Sequence, residues 1–179
     1  MKHFRLLTVL AALLLAVTML AAAGAETATD IALHQFVDLN DGTTMMVPDG
    51  WNEEITQQEG IYALTTYPPD RANSRNVIFV YASIDDWETT GVKVAASRKG
   101  FDDIMNQKDI ISQNFGNADI EEVQFNGISY FRYKPQDSLW QYYRYHNGYA
   151  HMFQIDVDVD DPYYAYFEAI MNSVVFPEI

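Results

Sequence analysis

The densest run of chemistry-bearing side chains in the chain is Asp156-Val157-Asp158-Val159-Asp160-Asp161. Carboxylates spaced by two residues can converge on a hard cation, so Asp156, Asp158 and Asp160 are calcium candidates, although weak ones. A helix-loop-helix calcium loop needs Gly at its sixth position and Glu at its twelfth. Asp161 and Phe167 stand there instead. The run reads better as a strand with a wet polar face, followed by Asp160 or Asp161 capping a helix with Pro162 in its first turn. No cofactor is expected.

Histidine chemistry is weighed next. His146 and His151 fall on one face of a predicted hairpin, diagonal to each other at roughly 7 to 8 Å. A zinc site needs a further ligand, and nothing in the sequence brings His34 to this pair. Arg144 is expected opposite His151, where its charge opposes that of a bound cation. Nucleophilic catalysis has no better footing: cysteine is absent, and no Gly-x-Ser-x-Gly turn occurs. Phosphate-cradling Gly-x-x-x-x-Gly-Lys and Gly-x-Gly-x-x-Gly patterns are missing too. So acidic a chain offers many carboxylate pairs by chance, which is no evidence for glycoside cleavage. The chain is therefore not read as an enzyme.

Aromatic side chains remain, with 12 Tyr, 10 Phe and 3 Trp. Tyrosine joins an apolar ring to a polar tip, which suits recognition surfaces as well as sheet cores. If left uncovered, Tyr143, Tyr145 and Met152 form a candidate patch for a protein, peptide or glycan partner. Trp51 is a further candidate contact; its first expectation is a ring laid over a sheet edge.

The elements that must position these residues are marked by turn signals at Asp41-Gly42, Asp49-Gly50, Glu59-Gly60, Asn126-Gly127 and Asn147-Gly148, which accept the positive φ angles of tight turns. Strand-like runs lie between them: His34 to Asp38, Thr43 to Val47, Ile61 to Tyr67 and Asn76 to Ile84. From about Ser97 to Asn114, Phe101, Ile104, Met105, Ile111 and Phe115 share a helical face, and Gly116 can cap its end. Two hairpins follow, Ile120 to Phe125 with Ile128 to Lys134, and Leu139 to Tyr145 with Tyr149 to Val157. A two-residue loop in the second sets His146 opposite Tyr149, and then Trp140 opposite Ile155, Tyr142 opposite Phe153 and Arg144 opposite His151. That face reads as core. The other face is apolar near the turn and wet further along, which fits partial cover by a helix, so helices are expected on both faces. A last helix presents Tyr163, Phe167, Ile170 and Met171 inward, and an extended tail after it packs back on the sheet.

The amino terminus carries an address. Lys2 and Arg5 precede an apolar run from Leu6 to Ala23, and Ala23-Gly24-Ala25 supplies the small residues that a signal peptidase requires. Residues 1–25 are read as a secretory signal and residues 26–179 as one secreted, extracytoplasmic domain. A membrane role arises only if the signal is retained as a tether. Losing Lys2 and Arg5 takes the net charge from −14 to −16. Such a surface repels phosphate backbones and anionic headgroups, which disfavours nucleic acid. Without cysteine the domain has neither disulfides nor a lipidated cysteine, so its own core must hold it. A monomer is expected.

The opening hairpin Phe36-Val37-Asp38 to Thr43-Thr44-Met45-Met46-Val47, running into Pro48-Asp49-Gly50-Trp51, and the closing Phe167-Glu168-Ala169-Ile170-Met171-Asn172-Ser173-Val174-Val175-Phe176 resemble secreted bacterial domains of the PsbP-like superfamily. That fold is shared with a Ran-binding nuclear import factor, whose partner has no place outside the cytoplasm. The resemblance implies an α+β domain: a central antiparallel sheet of about six to eight strands flanked by helices, an α/β/α sandwich. It also implies a non-enzymatic binding or assembly accessory. The alternatives are a carboxylate-dependent hydrolase of extracellular glycans and a structural protein tethered by an uncleaved N-terminal segment.

Overall fold

The computed structural model describes residues 31–71, 79–85, 104–116, 118–137 and 139–178. The expected signal segment, Phe101 and the early part of the expected helix from Ser97 lie outside them. Nine strands and two helices follow in chain order among the described residues: β1 (Leu33–Val37), β2 (Thr44–Pro48), β3 (Asn52–Gln58), β4 (Ile61–Tyr67), β5 (Phe79–Asp85), α1 (Ile104–Asn114), β6 (Glu121–Phe125), β7 (Ile128–Gln136), β8 (Leu139–His146), β9 (Tyr149–Asp156) and α2 (Tyr164–Ser173). Seven strands form one antiparallel sheet in the order β3-β4-β5-β9-β8-β7-β6, and β1 with β2 makes a separate two-stranded sheet.

Turn chemistry fixes the hairpins. Asn126 and Gly127 take φ of 47° and 76°, and Asn147 and Gly148 take 51° and 82°. Both central residues of each turn are left-handed, the type I′ geometry whose twist matches a hairpin. The register that follows pairs Trp140 with Ile155, Tyr142 with Phe153, Arg144 with His151 and His146 with Tyr149, as the loop length predicts.

That register sorts side chains between two cores. On one face, Tyr62, Leu64, Phe79, Tyr81, Tyr130, Tyr142, Phe153 and Ile155 pack with Phe36, Met45 and Val47 of the small sheet and with Phe167, Ile170 and Met171 of α2. On the other, Phe131, Tyr145 and Ala150 pack with Ile110 and Ile111 of α1. Helices thus cover both faces, and the architecture is α+β. The tail returns as expected, since Val175 bridges Thr44 and Val174 is buried. The Ser173 hydroxyl accepts a hydrogen bond from the Met46 amide at 2.8 Å.

Three local expectations change. β3 was not foreseen, because all its residues are exposed and Asn52-Glu53-Glu54-Ile55-Thr56-Gln57-Gln58 shows no apolar alternation. Its strand form comes from backbone pairing with β4 across the Glu59-Gly60 turn, where Gly60 supplies φ 73°. α2 starts later than expected, with Tyr163 at the N-cap and no side-chain cap. Asp161 instead accepts the Tyr163 amide at 2.9 Å, an Asx turn before the helix. In α1, Gln107 and Ile110 belong to the buried face along with Ile111. The Gln107 side-chain amide donates to the Tyr145 carbonyl at 2.9 Å and accepts from the Tyr145 amide at 3.0 Å. It occupies the place of a neighbouring strand where the β7–β8 pairing, which begins at Phe131 and Tyr143, does not extend.

Candidate functional site

Beneath the β1–β2 loop lies a cluster of buried polar groups. Asp38, Thr43, Ser83 and His151 are fully buried. The loop runs Asp38-Leu39-Asn40-Asp41-Gly42-Thr43 and is closed by the Asp38 amide donating to the Thr43 carbonyl at 2.8 Å. Asn40 ties it to β5 by donating to Ser83 Oγ at 2.9 Å. Tyr81 of β5 and His151 of β9 rise from the same sheet face, set by the pairs Tyr81 with Phe153 and Ser83 with His151.

These groups form a chain. The Tyr81 hydroxyl donates to Asp38 Oδ2 at 2.5 Å and lies 3.0 Å from His151 Nδ1. With the phenol hydrogen on Asp38, the second contact needs a hydrogen on Nδ1. His151 Nε2 stands 3.2 Å from Asp41 Oδ2, near enough for charge attraction but not aligned as a hydrogen bond. Asp41 also accepts the Thr43 amide at 2.9 Å and the Thr43 hydroxyl at 3.0 Å.

Burial alone would raise the Asp41 pKa, but the contact with His151 and the Thr43 hydrogen bonds outweigh it and hold the carboxyl below its ordinary value. Burial, with the Asp38 charge beside it, pushes the Tyr81 phenol well above its ordinary value. The order carboxylate, phenol, imidazole, carboxylate resembles a proton relay. Here the Asp41 and His151 side chains are wholly shielded from solvent, and the Phe176 ring lies 4.9 Å from the imidazole. The cluster therefore fastens the loop to β5 and β9 and presents no reactive atom to a solute.

The residues singled out from the sequence do not converge on one place. Tyr145 is 4% exposed beneath α1, so it is core and not surface. Tyr143 is half-buried, with its ring 5.1 Å from Phe115 and its hydroxyl donating to Gln141 at 2.9 Å, opposite half-buried Met152. Trp51 packs on the α2 side, with ring centroids 5.3 Å from Tyr166 and 5.9 Å from Tyr163. Asp156 is paired with Leu139 in the sheet, while Asp158 and Asp160 are exposed beyond it. Among the described residues no three His, Asp or Glu side chains come together to hold an ion. His146 meets the Pro177 carbonyl at 2.8 Å, and His34 lies between Asp49 at 2.8 Å and Glu53 at 2.7 Å.

A second candidate is the sheet edge at β3, where every residue is exposed and Glu53 and Glu54 stand in mid-chain between Asp49 and Glu59. No Lys or Arg occurs between Arg5 and Arg71, and His34, between Asp49 and Glu53, is the one basic side chain of that stretch. Sequence reasoning missed both candidates. For the buried cluster a signal existed: His151 shares a predicted core face with Phe153 and Ile155, where an imidazole needs a partner.

No protein-family model matches the chain, and no curated protein matches it by sequence. Solved structures similar in fold include the following two. One is a protein of Bacteroides thetaiotaomicron, 13% identical with a TM-score of 0.48; the similarity covers 80% of this chain and 48% of that one, so this chain spans about half its length. The other is the cyanobacterial PsbP (CyanoP) of Synechocystis, 12% identical with a TM-score of 0.46, covering 86% of this chain and 96% of that one. At such identity the likeness concerns fold alone. Among the described residues no helix is long and apolar enough to cross a membrane.

Proposed function

We propose that residues 26–179 act outside the cytoplasm, after cleavage following Ala25, as a monomeric, non-enzymatic binding or assembly accessory. The observation that carries this reading is the placement of the reactive groups. The one relay-like cluster among the described residues is sealed inside the fold, while the β3 edge, which carries Glu53 and Glu54, is exposed along its whole length. A chain with this charge attracts cationic and basic ligands and repels nucleic acid and anionic membranes.

The test begins with the mass of the native protein, which shows whether residues 1–25 are gone. The purified domain is then assayed for capture of secreted ligands at rising salt, and for hydrolysis of cell-wall glycans. Salt-sensitive capture without turnover supports the reading. Glycan hydrolysis abolished by Asp38→Asn or Asp41→Asn overturns it.

A further inference from the structure

We infer that β3 is a docking edge that takes up an extended, basic segment of a partner protein by strand addition. The inference rests on the binding role proposed above and supplies the chemistry of its partner. β3 ends the seven-stranded sheet, and among the described residues β4 is the only strand paired with it. In an antiparallel ladder, every second residue of an edge strand turns its N–H and C=O outward, away from its partner. Natural edges of this length are commonly blunted by proline, a bulge, lysine or a covering element. Among the described residues no element covers β3: its register with β4 runs unbroken from Asn52–Tyr67 to Gln58–Ile61, it contains no proline or lysine, and its only charges are Glu53 and Glu54, which repel acidic strands and admit basic ones. The opposite edge, β6, is shorter and lays Val123 and Phe125 against the core.

The side chains define the occupant. Glu53, Ile55 and Gln57 lie on one face of the strand, and Glu54 and Thr56 on the other. Ile55, at mid-strand, is 55% exposed. An incoming strand gains most from cations opposite Glu53 and Glu54 and an aliphatic residue opposite Ile55. Glu53 already meets His34 at 2.7 Å and Glu54 accepts the Tyr67 hydroxyl at 3.0 Å; with Asp49 and Glu59 at the two ends and no Lys or Arg between Arg5 and Arg71, carboxylates still outnumber basic side chains along this stretch. The same excess opposes a second copy of this acidic chain, so a basic partner is favoured over self-pairing. Main-chain hydrogen bonds supply affinity in this mode, and the charge and the aliphatic contact supply register.

The probe is the peptide acetyl-Thr-Thr-Val-Lys-Lys-Thr-amide, which in antiparallel register sets its first five residues against Gln57 to Glu53. It is titrated into isotopically labelled residues 26–179 and followed by amide chemical shift and hydrogen exchange. The expected result is saturable shift changes and slowed exchange confined to Asn52 to Gln58. Replacing the peptide valine with proline, at unchanged charge, removes the effect. Glu53→Lys combined with Glu54→Lys weakens it about tenfold or more. Because the proline arm leaves the protein unaltered, a misfolded variant cannot decide the outcome. Perturbation centred elsewhere, equal binding of the proline peptide, no binding at millimolar peptide, or self-association through β3 in sedimentation each overturns the inference. Those results leave the accessory role standing if a secreted ligand is still captured, whereas glycan turnover overturns that role itself.

Discussion

At the scale of single residues, the buried cluster and the orphan hydroxyls make opposite predictions for the same chemical change. Tyr81→Phe removes the donor that reaches Asp38 and the phenol oxygen that meets His151. Losing a hydrogen bond to a buried charge, with the charge left behind, costs about 3 kcal/mol. A urea midpoint lowered to match, with an unchanged denaturant slope, is the expected result; a neutral outcome would show that the network is not tight. Tyr130 is equally buried, but its hydroxyl has no hydrogen-bond partner. Tyr130→Phe is therefore expected to be neutral or to stabilise by about 1 kcal/mol. Destabilisation beyond that would mean the hydroxyl is satisfied in solution.

Among elements, α1 shows how a helix is pegged to a sheet by one polar side chain. Gln107→Ala leaves the Tyr145 amide and carbonyl without the two bonds they make to it. The expected cost is about 2 kcal/mol, with faster hydrogen exchange at the Tyr145 amide as the local reporter. The hairpins were legible in the sequence because Asn-Gly chemistry and loop length together leave one register open, and β8 with β9 adopts it pair for pair. The α2 core face was legible as well, since Phe167, Ile170 and Met171 keep helical spacing. β3 was not, because its pairing is made by the backbone and hydrophobic periodicity is silent on a strand wet on both faces. Tyr145 was misplaced for a related reason: period two assigns it to a face, but only α1 decides whether that face is covered.

For the molecule as a whole, the titrating groups set a pH window of stability. Asp41 has a folded pKa below its unfolded value. Its contribution is present above the ordinary carboxylate range and is lost as pH falls through and below about 4. Burial raises the phenols of Tyr81, Tyr130, Tyr142 and Tyr143. Each therefore favours the folded state below about pH 10, and that contribution is lost as pH rises further toward the folded values. Alkaline titration followed by phenolate absorbance should show an exposed class near pH 10, then a delayed class that appears together with loss of near-ultraviolet circular dichroism. A single smooth titration would contradict the buried assignments. Asp41→Asn should flatten the acid limb of the stability curve and, because the Asp41 charge is a minor cause of the raised Tyr81 phenol, move the alkaline limb only slightly. By itself the sequence determined the acidity, the hairpin registers and the two-faced sheet, because these depend on composition, turn geometry and local periodicity. The joining of Asp38 and Asp41 to Tyr81 and His151, the cover over Tyr145 and the open edge at β3 were decided by tertiary structure alone. They depend on which strands become neighbours and which faces find a covering layer, and contacts between residues so distant in sequence leave no local pattern.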